Sequence, residues 1–219
     1  MQQLFFKFPI KPVYLAEDFF ISPANNHAFN YLNQWPNWNN GIYSKMLLLH
    51  GELGSGKTHL AHIWKDLAKA KILSTADCYN LHLFTSNKSL ILEDISKIDE
   101  ELLLHLFNFA HENQQYLLLT SDLPPTQLSF NIADLRSRIL AMPAIAINAP
   151  DQELLKAVLL KHLSDRQLKI HPAALDYITL RVDRSFSKLI QFIDELEQIS
   201  KTSKRSITIP LIKETFNLS

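Results

Sequence analysis

The segment GELGSGKT, Gly51 to Thr58, constrains this chain more than any other eight residues in it. It matches the pattern G-x-x-x-x-G-K-[ST] at every fixed position. The apolar run Met46 to His50 precedes it and an amphipathic stretch follows it, as a strand–loop–helix unit requires. Such a loop turns its backbone N–H groups inward around a polyphosphate, and the N-terminus of the following helix adds partial positive charge. The expected nucleotide-binding set is Gly51, Glu52, Leu53, Gly54, Ser55, Gly56, Lys57, Thr58 and the next helical residue, His59. Lys57 has the reach for the β- and γ-phosphates, and the Thr58 hydroxyl suits a magnesium ion. The expected ligands are therefore ADP or ATP with Mg2+. A chance glycine turn is the competing reading, and the agreement of strand, motif and helix argues against it.

The chain has 219 residues, 47% of them hydrophobic, enough to bury a sizeable core. Its 22 basic and 22 acidic residues cancel, whereas proteins that live on duplex DNA usually carry a basic excess. A single cysteine, Cys78, excludes an internal disulfide and fits a reducing compartment. No apolar run approaches the ~20 residues of a membrane span, and the N-terminus lacks the features of a signal peptide, so a cytoplasmic location is expected.

Short apolar runs alternate with longer amphipathic ones. Met46–His50, Lys71–Ser74, Ser89–Ile95, Tyr116–Asp122 and Ala144–Asn148 read as five buried strands. Thr58 to Lys69 places Leu60, Ile63, Trp64 and Leu67 at helical spacing, and Ile98 to Asn113 does the same with Leu102, Leu103, Leu106 and Phe109. This alternation predicts an α/β fold: a five-stranded parallel sheet with helices on both faces. After Pro150 the strand signals stop. Helices are predicted over Asp151–Ser164, Pro172–Arg181, Ser185–Ser200 and Pro210–Asn217, with Asp151 and Ser185 as N-caps. The expected organisation is an N-terminal segment over 1–24, a nucleotide-binding core over 25–150 and a small helical lid over 151–219.

Three further sets of residues suit phosphate chemistry. Glu93 and Asp94 end an apolar strand, where an acidic pair can hold magnesium (Glu93, with Thr58) and orient water (Asp94). The order is the reverse of the usual Asp-then-Glu, which bears on where an attacking water would sit. Thr120 and Ser121 end the next strand at the same sheet edge, where a hydroxyl can sense the γ-phosphate. DLRSRI (Asp134 to Ile139) offers Arg136 and Arg138 as exposed arginines that could serve a neighbouring subunit's nucleotide; a surface salt bridge is the plainer alternative. His59 and His62 lie at i and i+3, but no third ligand completes a metal site.

Together the two phosphate motifs, TSDLPP (Thr120 to Pro125), DLRSR and the helical tail resemble the AAA+ domain of the bacterial replication initiator DnaA, from about Glu17 to Leu218. EDFFISPANNHAF (Glu17 to Phe29) is similar to the family segment that approaches the adenine base. VDRSFSKLIQFIDELEQ (Val182 to Gln198) and RSITIPLIKETFNL (Arg205 to Leu218) resemble the Hda family of short DnaA homologues in particular.

The resemblance implies a regulator that binds the DNA sliding clamp and stimulates hydrolysis of DnaA-bound ATP, so that initiation is switched off. The expected partners are DnaA and the clamp, with a homo-oligomer possible. No membrane contact or direct sequence-specific DNA binding is expected, because no helix-turn-helix domain follows. Arg138 takes the place of the family's arginine finger, acting in trans. QLFFKF (Gln3 to Phe8) stands where Hda-like proteins carry a clamp-binding motif, with Gln3 as polar anchor and Leu4, Phe6 and Phe8 as apolar ones. An edge strand on the chain's own core is the alternative for this segment. The lid arginine that touches nucleotide in the family (sensor 2) falls at Ser187 here, with Lys188 beside it. An uncharged residue there points to weak self-hydrolysis and to a tightly held ADP. A self-hydrolysing helicase- or clamp-loader-like ATPase is the alternative function, and intrinsic turnover separates the two. A small-molecule kinase fits the second acidic strand and the lid less well.

Overall fold

A computed structural model describes residues 14, 16–38, 41–203 and 207–216. The proposed clamp motif, Gln3, Leu4, Phe6 and Phe8, lies outside these residues.

Five strands form one parallel sheet: β1 (Met46–His50), β2 (Lys71–Leu73), β3 (Ser89–Leu92), β4 (Tyr116–Ser121) and β5 (Ala144–Ala146). Their order across the sheet is β2-β3-β4-β1-β5. β4 is therefore inserted between β1 and β3, with Leu49 opposite Thr120 and His50 opposite Ser121. The strands read as unbroken apolar runs because both faces are covered. Met46, Leu48, Leu90, Leu92, Leu117 and Leu119 feed one core, closed by α3 (Glu100–Glu112) and α4 (Ala133–Ala141). The alternate residues Leu47, Leu49, Ile91 and Leu118 feed the opposite core, beneath α1 (Asn26–Asn33) and α2 (Lys57–Ala68).

Each strand after β1 ends one to three residues short of its predicted bound, at Leu73, Leu92, Ser121 and Ala146. Two predicted helix faces are also corrected. Leu67 is exposed; Leu60, Ala61, Trp64 and Ala68 are the buried apolar positions of α2. On α3 the buried face runs through Leu103, Leu106, Phe107 and Ala110, with Leu102 and Phe109 flanking it. Asp99 caps this helix by accepting from the N–H groups of Glu101 and Leu102. Helices α1 and α4, and a kinked 3-10 segment over Asp77–Phe84, occupy stretches for which no element is predicted from periodicity.

Beyond β5 the chain is helical: α5 (Gln152–Asp165), α6 (Pro172–Thr179), α7 (Phe186–Ser203) and α8 (Ile209–Phe216). Asp151 accepts from Leu154 N–H at 2.8 Å and Ser185 from Lys188 N–H at 3.2 Å, so both expected caps form. Leu159, Leu163, Ile178, Leu189, Ile193 and Ile212 give these helices a core of their own. A smaller cluster of Ala24, Leu154 and Phe186 ties them to the segment before α1. Among the described residues no helix is long and apolar enough to cross a membrane.

Candidate functional site

The loop Gly51–Gly56 joins β1 to α2 at the carboxyl edge of the sheet. Gly54 and Gly56 have φ of +83° and +97°, a region that costs any residue with a Cβ. At Gly54 an added Cβ would also stand 2.2 Å from Ile190 Cδ1 of α7, so that side chain would have to move. At Gly56 it would meet the Phe19 ring at 3.3 Å. The loop is thus hemmed in by the lid on one side and by the segment preceding α1 on the other.

Lys57 opens α2 and is buried. Its Nζ donates to Gly51 O at 2.7 Å and Glu52 O at 3.1 Å, and it pairs with Asp122 Oδ1 at 2.6 Å. Asp122, which follows β4, is a member of the site that sequence reasoning missed; its only signal was its place inside TSDLPP. His50, at the end of β1, is held neutral over a wider range than usual: burial lowers its pKa, and the Lys57 charge lowers it further.

Glu93 follows directly on β3. Its Oε1 is buried and has no hydrogen-bond partner among the described residues. Asp94 is held at φ +55°, and its N–H donates to Thr120 Oγ1 at 2.9 Å. The Thr120 hydroxyl therefore pins the turn after β3 to β4. Asp94 accepts from Ser96 at 2.8 Å and pairs with Lys97 at 2.5 Å. Burial raises its pKa, but these hydrogen bonds and the charges of Lys97 and Lys57 outweigh burial and keep it below the usual carboxylate range. Ser121 Oγ accepts from Leu123 N–H at 3.0 Å and so serves the turn after β4.

His59 is buried, edge-on to Phe19 with ring centroids 5.2 Å apart, and Tyr14 packs on both His59 and His62. Burial, and then the charge of Glu93, raise the Tyr14 pKa. Phe19 also stacks on Phe29, so EDFFISPANNHAF lies against the loop. No cluster of three metal-ligating side chains occurs among the described residues.

Arg138 differs from the exposed arginine expected. It is partly covered and forks onto Asp134 with two bonds of 2.9 Å, four residues back on α4, while its guanidinium sits 5.6 Å from the Phe107 ring centre. Asp134 could have been found from its i, i+4 spacing. Arg136 is the exposed member of the pair.

The lid reaches the loop through Glu52. Its Oε1 accepts from Ser185 Oγ at 2.5 Å and from Ser187 Oγ, and its Oε2 accepts from Phe186 N–H at 3.0 Å. Burial pushes the Glu52 pKa up, but these donors outweigh it and hold the carboxyl below its ordinary value. No sequence signal links Glu52 to residues 133 positions and more away.

A protein-family profile described as "Hda, lid domain" matches residues 151–216. Over 94% of its length the chain is 26% identical to the chromosomal replication initiator protein DnaA of Treponema denticola, covering 54% of that protein. It is 27% identical over 75% of its length to DnaA of Cutibacterium acnes, covering 38% of it. The chain thus spans about half, or less, of the curated relatives it matches.

Among solved structures, domain III of the Thermotoga maritima replication initiation protein DnaA superposes with a TM-score of 0.72 at 20% identity, over 96% of this chain and 98% of that one. AMPPCP-bound DnaA from Aquifex aeolicus gives 0.65 at 18% identity, over 90% and 69%. A Thermotoga maritima RuvB mutant gives 0.62 at 18% identity, over 90% and 70%. The fold is thus the AAA+ fold, a parallel α/β sheet followed by a helical lid. With a parallel sheet like that of DnaA domain III and a lid that matches the Hda profile over 151–216, the chain is similar to the Hda/DnaA-like AAA+ proteins.

Proposed function

We propose that this chain is a nucleotide-bound regulator that works with the DNA sliding clamp to stimulate hydrolysis of ATP on DnaA, and so restrains replication initiation. The observation that carries this reading is the Hda lid match over 151–216, on a chain whose Gly51–Thr58 loop opens a buried Lys57. Solved DnaA relatives that hold AMPPCP support an adenine nucleotide as the ligand.

In this reading the loop amides and Lys57 grip the phosphates of ADP or ATP. The ammonium is already oriented by Gly51 O, Glu52 O and Asp122, so binding exchanges acceptors rather than ordering a free side chain. Thr58 and Glu93 would hold Mg2+; a buried carboxylate oxygen without a donor is a suitable hard-cation ligand. The ion would neutralise charge on the bound phosphates. Thr120 fixes Asp94 through its backbone N–H, and Asp94 is engaged by Lys97 and Ser96, an arrangement that supports weak self-hydrolysis rather than a freely directed base.

Arg138 is the proposed finger toward the ATP of DnaA. Its partner Asp134 is well exposed, and a solvent-screened helix pair is a weak competitor for a triphosphate. The test is a reconstituted assay with DnaA carrying labelled ATP, DNA-loaded clamp and this chain. ATP on DnaA should convert to ADP faster only when clamp and chain are both present. Arg138→Ala should keep ADP binding and lose the acceleration, since an arginine supplied in trans is worth about 10³ to 10⁵ in such reactions. Unchanged conversion with the unmodified chain would overturn the reading; intact stimulation by Arg138→Ala would remove the finger.

A further inference from the structure

The contact between loop and lid has an unusual division of labour. Glu52 is the second residue of the phosphate-binding loop, yet its carboxylate faces the lid and takes the donors at the start of α7: the Ser185 and Ser187 hydroxyls and the Phe186 N–H. Ser185 serves both sides, because its oxygen accepts Lys188 N–H as the helix cap while its proton goes to Glu52. A hydroxyl has one proton to give, so both serines are committed as donors to this one carboxylate. The orphan N–H groups and partial positive charge of an 18-residue helix are met by an anion of the protein's own.

Shape reinforces this contact. Ile190, one turn along α7, fills the space that the missing Cβ of Gly54 leaves open, and Phe186 Cβ lies 3.5 Å from the same point. Phe186 itself is buried with Ala24 and Leu154. Loop and lid therefore meet at two adjacent points, one charged and one apolar, with no third body needed to join them.

We propose that Glu52 is a positioning residue that fastens the lid to the phosphate-binding loop from within the protein, so that the lid's place is set by the chain itself and not by the ligand's terminal phosphate. The inference rests on the nucleotide reading of the loop and deepens it. Lid-borne surface would then be presented in the same place with a diphosphate or a triphosphate bound. The uncharged Ser187 is thereby half of an internal bond rather than a missing contact to the ligand.

Hydrogen–deuterium exchange of the full chain, free and with ADP or AMPPCP, tests this. The amides of Phe186–Ile190 should exchange at the same rate with either nucleotide. Glu52→Ala should raise that rate at least tenfold while the sheet amides stay unchanged, and should speed release of mant-ADP. Ser187→Ala, which leaves the Ser185 cap in place, should raise it in the same direction. Adding Ser187→Ala to Glu52→Ala should have little further effect, because Glu52→Ala already removes the Ser187 bond. Glu52→Gln, which keeps an acceptor oxygen, should recover part of the protection.

Unchanged exchange at 186–190 in Glu52→Ala would overturn the proposal, as would a tenfold difference between ADP and AMPPCP in the unmodified chain. If Glu52→Ala does not fold, the serine variant decides by the same criterion. Were the unmodified chain to bind neither nucleotide, the nucleotide reading would fall, while exchange in the free protein would still decide the fastening.

Discussion

Lys57 concentrates the site's positive charge at one atom. Its ammonium holds two carbonyls and the Asp122 carboxylate, while Glu52, Glu93 and Asp94 add acidic groups on the same loop edge. A buried cation with three acceptors is a prepared phosphate ligand. Removing one partner of a buried, hydrogen-bonded charge contact costs about 2–5 kcal/mol. Lys57→Ala should therefore weaken ADP binding in calorimetry by roughly 30-fold or more. The unmodified chain, at ADP of ~100 times Kd, gains about 2.7 kcal/mol of stability, which corresponds to a melting shift of roughly 5–10 °C for a chain of this size. Lys57→Ala should lose most of that shift; an unaltered ADP response would show that the phosphates sit elsewhere.

Among the elements, the lid helices carry their own titration. Arg166, at the end of α5, sends Nε to Glu197 at 2.9 Å and Nη2 to Asp194 at 2.7 Å on α7. Its Nη1 lies 3.0 Å from His162 Nδ1. A guanidinium has no acceptor, so His162 Nδ1 must offer its lone pair and the ring is neutral. Burial lowers the His162 pKa and the Arg166 and Lys161 charges lower it further, against the opposing pull of Asp165 and Asp194. A folded-state pKa depressed below the ordinary 6.5 means the stabilising contribution is whole above pH 6.5 and is lost as pH falls through the folded value. His50 is shifted in the same direction. The melting temperature should thus drop as pH is lowered from 6.5 toward 5, and His162→Gln should flatten part of that drop. A profile for His162→Gln that parallels the unmodified chain would show that this histidine does not couple to folding.

For the molecule as a whole, binding the clamp and holding nucleotide are expected to be separable. β1 begins at Met46 and the lid latch joins Glu52 to Ser185, and the proposed clamp anchors Gln3, Leu4, Phe6 and Phe8 precede both along the chain. Removing residues 1–8 should abolish clamp binding in surface plasmon resonance, leave ADP affinity within about twofold and keep the melting transition cooperative. Retained clamp affinity would place that contact on another surface.

The fold was legible wherever it depends on neighbours in the chain. Met46–Leu49 and Tyr116–Leu119 declare themselves as central strands because consecutive residues enter two different cores. The Gly51–Thr58 loop declares itself because left-handed glycines and a helix-opening lysine must be consecutive. Helix α4 was not legible: only Leu135 and Ile139 of it are fully buried, too few to mark a face. The Asp134–Arg138 pair was readable in principle from helical spacing, once α4 is known to be a helix.

The linear chain by itself determined the phosphate loop, the parallel sheet and the helical tail, since each follows from spacing and hydrophobic pattern over a few residues. Only the tertiary structure decided that Lys57 answers to Asp122, that Thr120 holds the Asp94 backbone, and that Glu52 turns away from the loop to seize the start of α7. Those partners are far apart along the chain, and a hydrogen bond depends on distance and direction in space, which no local pattern encodes.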